Sequence, residues 1–205
     1  MIIFDFDGVL ADSLQTCLAA CNAAAEAQGA EWEFREDAFA TLHPLTFEAL
    51  AERHDLDPEC FARNVAEAVS SSPEKPIVFE GIEQALSELA KSHRLAVVSA
   101  SHASVIRSVL STSGADLHMR QIIGGDTQGA KAEKIARLVA DLPFEPHVMV
   151  GDAVSDLVAA RDAGIKAIAV TWGWQSASHL AAQDPDAIVD NPQDLVQACL
   201  AVLAV

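Results

Sequence analysis

The sequence predicts an α/β fold in which a doubly wound parallel sheet carries an inserted α-helical cap. From residue 76 onward, short apolar runs alternate with segments of helical periodicity, which is typical of a parallel sheet covered by helices on both faces. Residues 30–75 instead carry apolar residues at helical spacing, with no convincing strand. With 205 residues, of which 51% are hydrophobic, the chain can bury the core that this fold needs.

The predicted strands are short apolar runs, and the first of them, at residues 2–6, turns acidic at Asp5 and Asp7. The other strands are predicted at 95–99, 121–124, 147–151, 166–170 and 187–189. The helices between them are predicted near 82–92, 103–112, 132–141, 154–163 and 177–182. A last helix begins at Asn191-Pro192, since Asn is a good cap and Pro suits the first helical position. Strands joined in this way form right-handed crossovers.

The helical segment interrupts the core directly after the first strand. Asp12 followed by Gln15 predicts a capping box for a helix that continues to Gly29. The Ser- and Pro-rich stretch 70–76 predicts the loop that returns the chain to the core. We therefore predict a core made of residues 1–11 and 76–205, and a cap made of residues 12–75.

The charge of the chain restricts its partners. Thirteen Lys and Arg residues stand against 30 Asp and Glu, a net charge of −17, which disfavours nucleic acid and anionic membranes. An anionic substrate therefore requires local positive charge from a metal ion or a positioned Lys. No leader and no apolar run of about 20 residues is evident, so we expect a cytoplasmic protein of undetermined oligomeric state.

Reactive side chains stand at four predicted strand ends. In a parallel sheet these ends meet at one edge, so we expect the side chains to form one site. They are Asp5 and Asp7 in the first motif, Ser99 in the second, Lys131 in the third, and Asp152 with Asp156 in the fourth.

Phosphoryl transfer explains this mixture of groups. Asp5 is the candidate nucleophile, and it needs Mg²⁺ and a cation to approach a phosphate dianion. Asp5, Asp152 and Asp156 supply the oxygen ligands that Mg²⁺ prefers, although Asp156 is equally suited to orienting Asp152 or Lys131. Lys131, the Ser99 hydroxyl and nearby backbone N–H groups can hold the phosphoryl oxygens. Asp7 can protonate the leaving alkoxide and then deprotonate the attacking water.

These motifs, in this order, resemble the four signature motifs of the haloacid dehalogenase superfamily. The resemblance implies a Rossmann-like core, a helical cap after the first motif, and a backbone carbonyl of Asp7 on the Mg²⁺. Within the superfamily, Thr171 to Trp174 and the stretch 186–192 resemble the phosphoglycolate phosphatase group. Ser99-Ala100 is instead similar to the second motif of β-phosphoglucomutase-like relatives, which places Ala100 beside the phosphate. The implied substrate is a small phosphate monoester such as 2-phosphoglycolate or a sugar phosphate.

Several alternatives stay open at this point. A mutase-type phosphotransferase is compatible with Ser99-Ala100, and a silent binding or regulatory protein would also keep the fold. Lys134 competes with Lys131, which we prefer because it stands nearer the strand end. In the cap, the stretch 41–47 is our candidate specificity loop, with His43 and Thr46 as polar substrate contacts.

Overall fold

A computed structural model describes residues 1–72, 74–143 and 145–204 of the chain. Its strands are β1 (Ile2–Phe4), β2 (Ala11–Asp12), β3 (Ile77–Val78), β4 (Leu95–Val98), β5 (Met119–Ile123), β6 (Val148–Gly151), β7 (Lys166–Val170) and β8 (Ala187–Val189). Its helices are α1 (Leu14–Glu26), α2 (Phe47–Arg53), α3 (Pro58–Ser71), α4 (Ile82–Leu89), α5 (Ala103–Leu110), α6 (Lys131–Ala140), α7 (Val154–Asp162), α8 (Ala177–Ala181) and α9 (Leu195–Leu203). Short 3₁₀ helices occupy Glu36–Phe39, Ala115–His118 and Pro192–Asp194.

Six strands form one parallel sheet in the order β5-β4-β1-β6-β7-β8. The central strand β1 pairs with β4 on one side and β6 on the other, so Ile2 lies between Leu95 and Val148. The order runs outward in both directions from β1, which confirms the doubly wound α/β fold. The carboxyl ends of β1, β4 and β6 are therefore adjacent, at the position where such sheets bind ligands.

Alternate residues of β1 supply two separate apolar layers, as the two-residue period of a strand requires. Ile2 and Phe4 belong to a cluster that includes residues of α4, α5 and α9, whereas Ile3 belongs to a cluster with α6 and α7. All three side chains are fully buried. The core is thus covered by helices on both faces, and strand β1 is fixed rigidly where its acidic end begins.

The inserted helices have an apolar cluster of their own, which Phe34, Phe39, Leu50 and Phe61 dominate. Capping residues in the sequence explain where α2 and α3 begin. Thr46 caps α2 by accepting from the Ala49 N–H, and Asp57 caps α3 by accepting from the Cys60 N–H. No helix in the described parts of the chain is both long and apolar enough to cross a membrane.

Two details of the insertion differ from the sequence prediction. The capping box at Asp12 is wrong, because Asp12 lies in β2, which pairs antiparallel with β3, and Gln15 donates to Glu36 instead. The loop predicted at 70–76 starts later, since α3 continues through Ser71, and Pro73 within it lies outside the described residues. The pairing of β2 with β3 brings the two connections of the insertion side by side.

Candidate active site

Three buried carboxylates meet at the carboxyl ends of β1 and β6. Asp5 follows β1 and donates its N–H to the Val150 carbonyl of β6, 2.9 Å away. Asp152 follows β6, and Asp156 lies on the first turn of α7. One carboxylate oxygen from each of the three lies within 4.8 Å of the others. The structure thus brings Asp5 of the first motif and both acids of the fourth motif into one cluster.

Lys131, the first residue of α6, is the cation of this cluster. Its Nζ lies 2.6 Å from Asp156 Oδ1 and 3.1 Å from Asp5 Oδ2. Burial alone would lower the pKa of Lys131, but the negative charges of Asp156 and Asp5 outweigh it and raise the pKa. Lys134, the rejected alternative, points elsewhere, since its Nζ donates to the Gly124 carbonyl at 3.0 Å. Lys131 is therefore charged at neutral pH and in contact with the candidate nucleophile.

One lysine does not balance three buried carboxylates. Burial, followed by repulsion from Asp156 and Asp5, raises the pKa of Asp152 well above its ordinary value. Burial also raises the pKa of Asp156 to about 6, even though Lys131 opposes the shift. Asp5 Oδ1 is buried and has no hydrogen-bond partner among the described residues. A divalent cation that prefers oxygen ligands would neutralise the excess negative charge and would bind the unpartnered carboxylate oxygen.

The raised pKa values predict how stability depends on pH. Asp152 and Asp156 each bind a proton more tightly in the folded chain than in the unfolded chain. The free energy of unfolding therefore falls as pH rises. For Asp156 this loss falls between pH 3.8 and about 6, and for Asp152 it extends to higher pH. A divalent cation replaces those protons, so its stabilisation should grow across the same range.

We therefore expect 5 mM Mg²⁺ to raise the Tm by a few degrees at pH 7, which corresponds to a stabilisation of about 1 kcal/mol. At pH 4.5 the increase in Tm should be much smaller. Thermal unfolding at both pH values, with Mg²⁺ and with EDTA, measures this difference. Equal increments at the two pH values would contradict it. Ca²⁺ at the same concentration controls for ionic strength and for selectivity between the two ions.

Asp7 lies outside the three-carboxylate cluster and is held by a different partner. Its Oδ2 accepts a hydrogen bond of 2.5 Å from the Ser101 hydroxyl. Burial and then the charge of Asp5 raise the pKa of Asp7, while the Ser101 hydrogen bond acts in the opposite direction. A carboxyl with a raised pKa suits proton transfer near neutral pH. Binding of a metal ion by the backbone carbonyl of Asp7 stays a prediction.

Ser101 is a residue whose role the sequence did not reveal, although it stands in the second motif. It lies three residues beyond the end of β4, and its N–H donates to the buried Ser99 Oγ at 3.2 Å. This contact orders the turn that carries both Ser99 and Ala100. The signal available in the sequence was the repeated Ser of Ser99-Ala100-Ser101, but nothing in it links Ser101 to Asp7.

Replacing Ser101 by Ala should reduce kcat by about 3- to 30-fold, because the Asp7 carboxyl loses its positioned donor. The pKa of Asp7 should rise further, so the activity profile should shift toward higher pH. Ser101→Thr keeps the hydroxyl and should restore most of the activity. A pH–rate profile of Ser101→Ala that matches wild type would show that the hydrogen bond has no catalytic effect.

Two glycines allow the backbone to approach Asp152 closely. Gly8 has φ +73°, and a Cβ built there would lie 2.1 Å from Asp152 Oδ2. A Cβ on Gly173 would lie 2.3 Å from Asp152 Cβ. Side chains at either position would displace the carboxylate, so these glycines are required for the cluster to form. The Trp174 N–H completes the enclosure by donating to Asp152 Oδ2 at 2.7 Å.

The two residues predicted in the cap are less closely tied to the site. His43 and Thr46 are both exposed, and the Thr46 hydroxyl is engaged in capping α2. Their contact with substrate stays a prediction. Residues 39–42, directly before them, do contact the core: the Ala40 carbonyl accepts from the Ser176 N–H, and the Leu42 carbonyl accepts from Gln175 Nε2. The predicted specificity loop therefore begins beside the residues that enclose Asp152.

Comparison with known proteins gives the family to which the chain belongs. Residues 2–170 match the family model described as haloacid dehalogenase-like hydrolase, and the chain belongs to that family. The family confirms the resemblance drawn from the four motifs and identifies the chain as an enzyme of the hydrolase class.

Within this family, the chain is similar to phosphoglycolate phosphatases. The chain is 32% identical over 203 residues to a phosphoglycolate phosphatase of Synechococcus elongatus, covering 96% of this chain and 95% of the relative. It is 27% identical over 217 residues to a phosphoglycolate phosphatase of Pseudomonas fluorescens, covering 98% and 79% of the two chains. Among solved structures, a haloacid dehalogenase-like family protein of Streptococcus pneumoniae superposes with a TM-score of 0.81 at 21% identity, over 96% of each chain. That likeness shows the same fold.

Proposed function

We propose that the protein is a Mg²⁺-dependent phosphatase that hydrolyses a small phosphate monoester through an aspartyl-phosphate on Asp5. The observation that carries this proposal is the environment of Asp5. Its Oδ2 contacts Lys131, its Oδ1 is buried without a partner among the described residues, and Asp152 lies beside it. A carboxylate held in this way can meet phosphorus only if positive charge screens the incoming dianion.

The residues divide the reaction into two steps. In the first, an oxygen of Asp5 attacks phosphorus, the ester P–O bond breaks, and Asp7 gives its proton to the departing alkoxide. In the second, Asp7 takes a proton from water as the water attacks the phosphorus of the aspartyl-phosphate. The P–O bond to Asp5 then breaks, which releases inorganic phosphate and regenerates Asp5. Lys131, Ser99 and the N–H of Ala100 hold the phosphoryl oxygens during both steps.

Asp5, Asp152 and Asp156, with the carbonyl of Asp7, are the residues that would hold Mg²⁺. When bound, the ion would neutralise charge on the phosphoryl group and on the carboxylates. Both oxygens of Asp156 already have partners, Lys131 Nζ at 2.6 Å and the Ala153 N–H at 3.2 Å. Asp156 therefore acts mainly by orienting Lys131, and Asp5 and Asp152 are the principal carboxylate ligands.

The inserted segment 12–75 acts as the cap of the core formed by 1–11 and 76–205. Its own apolar cluster supports a separate folding unit, and its residues 39–42 reach the loop beside Asp152. A cap in this place would exclude water from the aspartyl-phosphate and present His43 and Thr46 to the leaving group. The phosphoglycolate phosphatases among the relatives favour 2-phosphoglycolate, or a sugar phosphate of similar size, as the substrate.

A panel of phosphate esters, assayed for released phosphate with Mg²⁺ and with EDTA, tests this proposal. We expect Mg²⁺-dependent hydrolysis of p-nitrophenyl phosphate and a higher kcat/KM for one small metabolite ester. Chromatography of the products from sugar 1-phosphates separates hydrolysis from mutase activity, which would yield the 6-phosphate. Mg²⁺ binding without turnover of any ester would instead indicate a silent binding protein.

A further inference from the structure

Three consecutive residues after β7, Trp174, Gln175 and Ser176, connect the inserted helices to the acidic cluster. Each of the three contacts residues 39–42 of the insertion, and two of them also contact Asp152 or the start of α7. No role for Gln175 or Ser176 follows from the chemistry of phosphoryl transfer.

Trp174 makes its two contacts with different parts of the residue. Its backbone N–H donates to Asp152 Oδ2 at 2.7 Å, and its ring packs on Phe39 with the ring centroids 4.8 Å apart. The ring also lies against the first motif, since a Cβ built on Gly8 would be 2.8 Å from Trp174 Cδ1. A shift of Phe39 would therefore move the donor that orients Asp152.

Gln175 spans the same two parts through its side-chain amide. It is 2% exposed, its Oε1 accepts from the Val154 N–H at 2.7 Å, and its Nε2 donates to the Leu42 carbonyl at 2.5 Å. Val154 is the first residue of α7, two positions after Asp152 and two before Asp156. A buried amide with both ends satisfied fixes the distance between its partners, because breaking either bond leaves an unpaired polar group.

We propose that Trp174 and Gln175 are positioning residues that couple the seating of residues 39–42 to the orientation of Asp152. When residues 39–42 are seated, Trp174 and Gln175 hold the Asp152 loop and the start of α7 in the arrangement of the acidic cluster. When residues 39–42 move away, Asp152 loses the support of its oriented donor. The metal-affinity arm of this inference rests on the proposed function, because it takes Asp152 as a ligand of Mg²⁺.

The test uses two variants on opposite sides of the contact and a matched control. Gln175→Leu removes both hydrogen bonds of the amide, and Phe39→Leu removes the aromatic contact from the cap side while keeping an apolar side chain. Gln28→Leu is the control, because Gln28 also bridges two backbone groups, the N–H and carbonyl of Asp57 at 2.8 and 3.2 Å, within the insertion. Mg²⁺ affinity is measured by calorimetry on the metal-free full chain, and hydrogen exchange follows the amides of Trp174 and Ser176.

We expect Gln175→Leu to weaken Mg²⁺ binding about tenfold, and Phe39→Leu about threefold, with faster amide exchange at Trp174 and Ser176 in both variants. Gln28→Leu should keep the wild-type Mg²⁺ affinity and the wild-type exchange at these two amides. A folded Gln175→Leu with both wild-type values would overturn the proposal. If Gln175→Leu does not fold, Phe39→Leu decides, since a merely structural role of this cap residue would leave Mg²⁺ affinity unchanged.

The two proposals fail in different ways. A wild-type chain that binds no Mg²⁺ contradicts the proposed cofactor, and the exchange of the Trp174 and Ser176 amides then tests the coupling alone. A wild-type chain that binds Mg²⁺, with variants that keep its affinity and exchange rates, contradicts only the coupling. The coupling would also be overturned if the loss of Mg²⁺ affinity correlated with the loss of Tm in all three variants, including Gln28→Leu.

Discussion

Replacing Asp5 by Asn should lower phosphate release by about 10³-fold or more, because the amide cannot form the aspartyl-phosphate. The variant should still fold. Asn is nearly isosteric with Asp, and the change removes one of three crowded carboxylates, which have ligand atoms within 4.8 Å of one another. The loss of the ion pair with Lys131, at 3.1 Å, offsets part of this relief. We therefore expect the Tm of metal-free Asp5→Asn to stay within a few degrees of wild type.

Asp12→Asn is a matched control for this experiment. Asp12 lies seven residues further along, in β2, and its side chain is exposed. The same chemical change there should leave kcat and KM within about twofold of wild type, since surface substitutions rarely have larger effects. Asp5→Asn with more than a tenth of wild-type activity, in a preparation shown by mass spectrometry to contain no deamidated Asp5, would exclude Asp5 as the nucleophile.

The second large effect concerns Lys131. Lys131→Met should reduce kcat by about 10²- to 10³-fold, because the phosphoryl oxygens lose their fixed positive charge. It should also lower the free energy of unfolding of the metal-free protein by about 3 kcal/mol at pH 7, since Asp5 and Asp156 stay buried without a cation. Mg²⁺ should restore part of this stability. Steady-state kinetics and urea unfolding, each with and without Mg²⁺, measure both effects.

Lys134→Met supplies a control from the same helix. Lys134 is buried, whereas Lys131 is half-buried, and the Lys134 Nζ donates to the Gly124 carbonyl in the loop after β5. We expect Lys134→Met to cost about 1–3 kcal/mol of stability and to keep kcat within about threefold. If Lys134→Met loses activity and Lys131→Met keeps it, the assignment of the catalytic lysine is wrong.

The parts of the site that the sequence predicts are those tied to strand ends. A buried strand followed by an acid can be recognised locally, and parallel pairing brings such ends together whatever lies between them in the chain. Asp5 and Asp152 are 147 residues apart, yet both follow apolar runs that the fold makes neighbours. Lys131 is preferred over Lys134 because it stands nearer the strand end, and its contacts with Asp5 and Asp156 agree with that preference.

The contacts between loops could not be predicted. Ser101 and Asp7 are joined by one hydrogen bond across 94 residues, and Gln175 reaches Leu42 across 133 residues. No periodicity or motif encodes such pairs, because they depend on how two irregular segments sit on the finished core. The error at Asp12 has a related cause. The local sequence there suits a helix cap, but pairing with the strand that returns from the insertion places Asp12 in β2 instead.

Rapid-quench mass spectrometry detects whether the phosphoryl group passes through Asp5. The enzyme is mixed with a good ester substrate and Mg²⁺, quenched in acid within milliseconds, and digested with pepsin at acid pH, because an acyl phosphate hydrolyses under alkaline conditions. We expect the peptide that contains Asp5 to gain the mass of one phosphoryl group. Fragmentation should place that group on Asp5, and Asp5→Asn should show none. Turnover at the wild-type rate with no phosphorylated peptide, or with the phosphoryl group on another residue, would contradict the account.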